Sequence, residues 1–195
     1  MKNVIFKKTF SSKELSGKSF EEITFKDCHF RNLNFEFVNF EKCSFEYSDF
    51  SGSMFKVTSF SECKFPNSKL SNLDFGDSFI VKCDFSKAIM VNCMIHKLKE
   101  GNAKQRKKLD LTSCKFEETA LAGTVFALCK LDGVSFLLAD LERTVFDACS
   151  LEKTNFSHAN LAGLTFENCS IENTYLSAEG FIQLGENKGF TLSID

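Results

Sequence analysis

The chain has 195 residues, 43% of them hydrophobic and 26% charged, with a formal net charge of −2. That length holds one domain or one continuous array, and the composition excludes a disordered chain. More unusual are 24 Phe and 9 Cys beside a single Pro and no Trp, because a Phe excess of this size means that one kind of slot is filled repeatedly.

Residues 1–17 are read as an N-terminal cap. Lys2, Lys7 and Lys8 surround Val4 to Phe6, an apolar run too short for a signal-peptide core or a membrane span. The expected location is the cytoplasm, where thiols stay reduced.

Residues 18–95 form a first array. Large apolar residues occupy every fifth position from Phe20 to Ile95 without a gap, 16 centres in all. Period five fits neither standard element. In an α-helix, residues five apart lie about 140° from eclipsing, and in a straight strand an odd period throws alternate residues to opposite faces. A chain that turns a corner every five residues satisfies the pattern, since every centre then points to a common axis. The residue two before each centre shares its face in extended chain, and those positions are small or apolar. They begin Lys18, Ile23, Cys28, Leu33, Val38, Cys43 and Ser48, and Lys18 is the one charged member. The remaining three positions of each pentad are mostly polar, as an outer surface requires.

All nine cysteines (28, 43, 63, 83, 93, 114, 129, 149 and 169) sit in that inner slot, where Ser, Thr, Ala and Val also serve. They are therefore read as buried, reduced packing residues and not as metal ligands. Stacked cysteines would have Cα atoms ~4.8 Å apart, within disulfide range, but parallel side chains and a reducing compartment argue against bridging. Cys43, Cys63 and Cys83 are 20 apart, as are Cys129, Cys149 and Cys169, which supports four sides per turn.

Between the arrays, residues 96–110 break the rhythm. The step from Ile95 to Leu111 is one position longer than three pentads, so the register slips by one. The segment carries Lys97, Lys99, Lys104, Arg106, Lys107 and Lys108 against Glu100 and Asp110. It is expected to project as a basic loop that binds a partner, the plainer alternative being a solvated insertion.

The second array, residues 111–176, has 14 centres from Leu111 to Leu176. It holds 4 basic and 9 acidic residues, a net of −5. Asp132, Glu152 and Glu172 lie 20 apart, each just after a centre, and are expected to stack as an exposed column, with Asp147 and Glu167 as a shorter one. The plain reading is surface solubility. The sharper one is a ribbon of negative charge that imitates a nucleic-acid backbone for a basic protein partner.

Residues 177–195 leave the pattern. Ser177 can cap a short helix with Glu179 in its first turn, Phe181, Ile182 and Leu184 supply an apolar side, Gly189 ends it, and Phe190 to Ile194 reads as extended. Gly180 and Gly185 weaken such a helix. Its expected duties are to cover the last coil and, through Phe181, Ile182, Leu184 and Phe190, to pair with a second copy.

Catalytic chemistry is not expected. His29, His96 and His158 lie apart with no metal-ligand spacing, no phosphate-cradling Gly loop or Ser-His-Asp arrangement is present, and a filled column leaves no cleft for a small substrate. No metal or cofactor is called for.

The order small, polar, large apolar, then two variable residues appears literally as Ala139-Asp140-Leu141 and Ala159-Asn160-Leu161. It resembles the pentapeptide-repeat family over residues 18–176. The resemblance implies an all-β solenoid, a right-handed quadrilateral β-helix of about 7–8 coils of four pentapeptides, here with a short C-terminal capping helix. The Phe- and Cys-rich first half, one internal loop and the terminal helix look like the topoisomerase-protecting members of that family. These are rod-shaped dimers that imitate DNA and shield DNA gyrase from quinolones or peptide toxins. What the resemblance implies is a protein partner and a homodimer through the C-terminal cap, with neither nucleic acid nor membrane bound directly. The alternative is a generic scaffold for an unrelated partner.

Overall fold

A computed structural model describes residues 3–97 and 108–193. The chain winds into a four-sided β-solenoid of about eight turns, closed at its C-terminal end by a short helix. All described strand pairs are parallel, and within each array partners lie four pentads apart, as in Phe25↔Phe45 and Val125↔Val145. A rise of ~4.8 Å per turn makes the column ~38 Å long.

The winding starts earlier than the expected boundary at residue 18. Strand β1 (Asn3–Phe6) pairs in register with Ile23–Lys26, and Thr9 bridges His29. Ile5, Phe10 and Leu15 continue the period-five series backwards, and Phe10 and Leu15 are buried. Residues 3–17 therefore form a rung of the column. Its third side is one helical turn, α1 (Ser12–Leu15), whose Ser11 and Glu14 make a reciprocal capping box.

The interior is built from the centres. On the first side Phe25, Phe45, Phe65, Phe85, Phe116, Phe136 and Phe156 form an unbroken stack, with neighbouring centroids 4.9–5.3 Å apart and planes within 14°. Rings on adjacent sides meet edge-on, as Phe25 and Phe30 do at 74°. Both are favourable quadrupole arrangements.

The inner slot does more than fill space. Its hydroxyls and thiols donate to the carbonyl of a centre in the preceding turn. Thr144 Oγ1 reaches Leu121 O at 2.9 Å, Thr154 Oγ1 reaches Leu131 O at 2.9 Å, and Cys149 Sγ reaches Phe126 O at 3.3 Å. Phe126 O thereby gains a donor, and Leu121 O and Leu131 O, which already accept from Thr124 N and Val134 N, gain a second. Small size alone does not account for Ser, Thr and Cys in this slot.

Corners have a fixed conformation. Among the described residues, the residue two after a centre adopts the left-handed region at 23 non-glycine positions, including Val57 and Tyr47, and at Gly17, Gly52, Gly123, Gly133 and Gly163. Each non-glycine case costs roughly 1–2 kcal/mol, which the ladder and core must offset. Asn32, Asn67, Asn72, Asn92, Asn168 and Asn173 at these corners tolerate the region best.

The insertion between arrays keeps the sides aligned. Asp84 bridges Lys115 and Ile89 bridges Ala120, and each step is longer by eleven than the four pentads of an ordinary turn. The winding is therefore in register on either side of eleven extra residues. The gap from Ile95 to Leu111 is one pentad plus these eleven, so no side is lost. On the fourth side Ser78–Val81 and Leu109–Asp110 fall in separate sheets.

Candidate interaction surfaces

Of the three expected surfaces, two lie within the described residues and the basic loop does so only at its ends. Of the basic loop, Lys97 is exposed and Lys108 half-buried; Lys99, Lys104, Arg106 and Lys107 lie outside the described residues. Next to Lys97, His96 Nε2 meets Asp74 Oδ1 at 2.9 Å, passing over Gly76, where a Cβ would lie 2.6 Å from the ring. One turn below, the third side opens. Met54–Lys56 pairs only with Asn34–Glu36, whereas Asp74 pairs with Met94. The gap is a groove of about 420 Å³ lined by Met54, Phe55, Asp74 and Asp77. The corner at Asp77 is not left-handed, and the buried Ser78 Oγ lacks a partner. External grooves of this kind exist where a filled column was expected to have none. A second, of about 490 Å³, is lined by Glu22, Lys42, Glu46, Glu62 and Lys64 among others.

The acidic residues divide between two corners. Asp132, Glu152 and Glu172 form one file beyond the fourth side, supported by Gly133 N to Glu152 O at 2.8 Å and Lys153 N to Glu172 O at 3.1 Å. Asp147 and Glu167 are register partners at the corner before that side. The two rows therefore flank the fourth side, with Lys130, Ser150 and Ser170 between them. The first row is partly engaged: Asp132 accepts from Ser150 Oγ and from Glu152 N, and Glu152 pairs with Lys153 at 3.1 Å. With the eleven extra residues taken out of the count, Glu21 and Glu41 fall in the same file, separated from Asp132 by Ser61, Val81 and Thr112. Sequence reasoning missed them because the insertion hid the common spacing. Elsewhere opposite charges alternate between turns, as in Lys26–Glu46, Lys56–Glu36, Lys82–Glu62 and Lys87–Glu118 at 3.4–3.8 Å.

The terminal helix, α2 (Ala178–Asn187), covers the last turn on the second side. Ser177 Oγ accepts from Gly180 N at 3.2 Å. Gln183 Oε1 accepts from Leu161 N at 2.7 Å, and Asn187 accepts from Gly163 N at 2.8 Å while donating to Leu161 O at 2.8 Å. These two amides take the place of the missing next strand. Neither was singled out from sequence, where the signal, one helical turn between polar amides on the same face, is weak. Gly180 is needed at the contact, since a Cβ would press on Leu161 Cδ1 at 3.2 Å.

Of the four expected cap residues, Leu184 packs against the core, whereas Phe181 and Phe190 are 65% and 74% exposed and Ile182 is also exposed. Phe181, Ile182, Phe190 and Leu192 line an apolar hollow of about 280 Å³. The stretch after Gly189, expected to be extended, forms no strand over residues 190–193; Phe190 N instead returns to Gly185 O at 3.0 Å.

All nine cysteines are free; eight are buried, and Cys169, in the last turn, is half-buried, which corrects the expectation of nine buried thiols. Burial pushes the Cys93 and Cys114 thiols up to about 12. Among the described residues no group of three or more metal-ligating side chains converges, and no helix is long and apolar enough to cross a membrane.

Family profiles described as pentapeptide repeats (9 copies) and as a pentapeptide repeat region match residues 20–64 and 124–179. Together they cover more than half of the chain. The chain belongs to the pentapeptide-repeat family. Among solved structures, a trypsin-treated variant of QnrB1, a plasmid-mediated fluoroquinolone resistance protein, is similar with TM-score 0.64 and 17% identity, covering 99% of this chain and 100% of that one. Full-length QnrB1 gives TM-score 0.63 and 15% identity over 96% and 100%. A second trypsin-treated variant gives 0.51 and 16% over 98% of each chain. At these identities the pentapeptide-repeat fold is what is shared. Among curated protein sequences none matches the chain significantly.

Proposed function

We propose that this pentapeptide-repeat chain is a non-catalytic binding protein that imitates DNA, occupies a type II topoisomerase such as DNA gyrase, and protects it from quinolones or peptide toxins. The observation that carries the reading is the end-to-end correspondence with a fluoroquinolone resistance protein, 99% of this chain against 100% of that one. A rod-shaped ligand presents its whole length to a partner, so likeness over the full length bears on function more than a few shared coils would. Two acidic rows along one side support it, since charges repeated every ~4.8 Å would steer the rod to a basic groove. It would act in the cytoplasm through contacts with protein alone, needing no cofactor, nucleic acid or membrane. The test is gyrase supercoiling in the presence of ciprofloxacin. Adding the protein should restore supercoiling, and Glu152→Lys together with Glu172→Lys should abolish the rescue without altering the melting temperature. No rescue by the wild-type chain would refute the reading.

The rod is proposed to dimerise through the hollow at its C-terminal end, where Phe181 and Phe190 are left bare. Light scattering should report about twice 22.0 kDa, and a monomer for Phe181→Asp. The loop from Lys97 to Lys108 is proposed to be a second contact, dispensable for folding and needed for binding. Replacing it by a short Gly-Ser link should leave melting unchanged while weakening rescue. An adaptor for an unrelated partner is the second reading, favoured by Lys130 and Lys153 interleaved with the acidic rows; a gyrase assay without effect would leave that one standing.

A further inference from the structure

We propose that the split on the third side of the column takes an arginine side chain presented by a partner protein. On that side the residue two before each centre receives a hydrogen bond from the following turn. Leu33 O accepts from Met54 N, Leu73 O from Met94 N and Cys93 O from Val125 N, each at 2.9 Å. Ser53 O, at the same position, receives none, and among the described residues Phe55 N finds no carbonyl in the turn that holds Asp74. The corner before it parts as well. Asn32 N donates to Ser51 O at 3.0 Å and Asn72 N to Val91 O at 2.9 Å, whereas Gly52 N makes no such bond with Ser71. Contact between the walls resumes at Thr58 N and Asp77 O, long at 3.4 Å, where the corner lacks the left-handed conformation of Phe37 and Val57. The Ser78 hydroxyl behind the split is buried without a partner. The spacing that brings Thr58 Oγ1 to Phe35 O and Cys83 Sγ to Phe60 O would bring it to Phe55 O.

What the split offers selects its occupant. Its floor is apolar, formed by the exposed Met54 and by Phe55. Its rim carries acceptors in Ser53 O, the Asn72 amide and the carboxylates of Asp74 and Asp77. Asp74 Oδ1 is taken by His96 Nε2 at 2.9 Å and Gly76 N at 2.7 Å, which leaves its second oxygen. The Asp77 carboxylate has no partner among the described residues, and the neighbouring Lys56 is paired with Glu36 at 3.4 Å. An inserted strand is excluded: the rings of Phe55 and Phe75 stay 5.4 Å apart, whereas a strand needs ~4.8 Å on each side of it. An arginine fits, because its methylenes can lie on Met54 and Phe55 while a planar guanidinium with five donors meets several acceptors at once. Lysine has no such fork. A free small molecule is a poorer occupant, since ligand sites bury most of their ligand and this groove lies on the outer face of the column. The split and the row of Asp147 and Glu167 share one side of the column, so a basic protein surface along that side reaches both. The proposal stands on the geometry of the split and does not depend on the topoisomerase reading.

The probe is the terminally blocked tripeptide Gly-Arg-Gly, titrated into the isotope-labelled full chain and read from amide chemical shifts. Saturable shifts are expected at Gly52, Phe55, Asp74 and Asp77, with half-saturation on the order of 1 mM. Asp77→Asn and Met54→Ala should each weaken binding about threefold or more. The citrulline tripeptide, equal in shape and uncharged, should leave those amides unmoved, and the lysine tripeptide should bind more weakly than the arginine one. Absence of saturable shifts at the four amides, equal binding of the citrulline peptide, or undiminished binding by Asp77→Asn would overturn the proposal. So would tighter binding of free arginine, since the split would then serve the amino acid. Shifts spread along Asp132, Glu152 and Glu172 instead would also overturn it, because the probe would then read surface charge alone. The citrulline comparison needs no variant, and so it decides even if a variant fails to fold.

Discussion

Gly52 sits at a corner with φ +71°, and a Cβ placed there would collide with Oδ1 of Asn32, its counterpart one turn earlier. Gly52→Ala therefore meets two separate penalties. The left-handed backbone costs an alanine roughly 1–2 kcal/mol, less the ~0.4–1 kcal/mol recovered by a stiffer unfolded chain. The carboxamide of Asn32, exposed and flexible, must swing off its preferred rotamer at ~0.5–1.5 kcal/mol. The sum is about 0.5–3 kcal/mol, and only the second part depends on Asn32. A double-mutant cycle with Asn32→Ala, read by reversible denaturant unfolding, should return a coupling of ~0.5–1.5 kcal/mol. Equal losses for Gly52→Ala in the two backgrounds would refute the idea that corner side chains fold over the next turn. They would leave backbone conformation as the sole reason for glycine there.

Three other outcomes follow from the same geometry. Phe60→Asp, whose ring is buried and stacked 5.4 Å from Phe40, should unfold the array, since an unpaired buried charge costs several kcal/mol; Glu62→Ala should stay within ~0.5 kcal/mol, its pair with Lys82 being exposed. Comparable losses would overturn the inward and outward assignment. Asn187→Ala should destabilise the C-terminal end by ~1–3 kcal/mol, because it leaves Gly163 N uncovered and removes one of the two donors to Leu161 O, the other being Leu164 N; hydrogen exchange confined to the last two turns would register it, and unchanged protection would refute the capping role. With a thiol reagent on the native protein, Cys169 should react first and the other eight only after denaturation; fast labelling of Cys93 or Cys114 would contradict their burial.

The period of five, the common axis and the inner slot were all legible in the chain, because burial repeats at a fixed interval and a stripe of Phe and Leu reports it directly. The even spacing of Cys43, Cys63 and Cys83, four pentads each time, disclosed four sides as well. Cys149 and Thr144 could be placed inward from spacing, but their role as donors to Phe126 and Leu121 could not, since the acceptor belongs to another turn. The left-handed corners left a trace in the Asn and Gly found two after a centre, diluted by Lys, Glu and Val57 in equivalent places. Alignment across the insertion was beyond sequence. The interval from Ile95 to Leu111 suggests a slipped register, and only the pairing of Asp84 with Lys115 shows that the turns before and after it stack in register. The same holds for the ends. Whether a rung is covered depends on which groups come to lie against it, and so the amides of Gln183 and Asn187 belong to the tertiary structure. Periodicity records which residues avoid water, an average that each pentad expresses alone. Register and capping depend on hydrogen bonds between segments distant in the chain, and those are settled only when the turns have stacked.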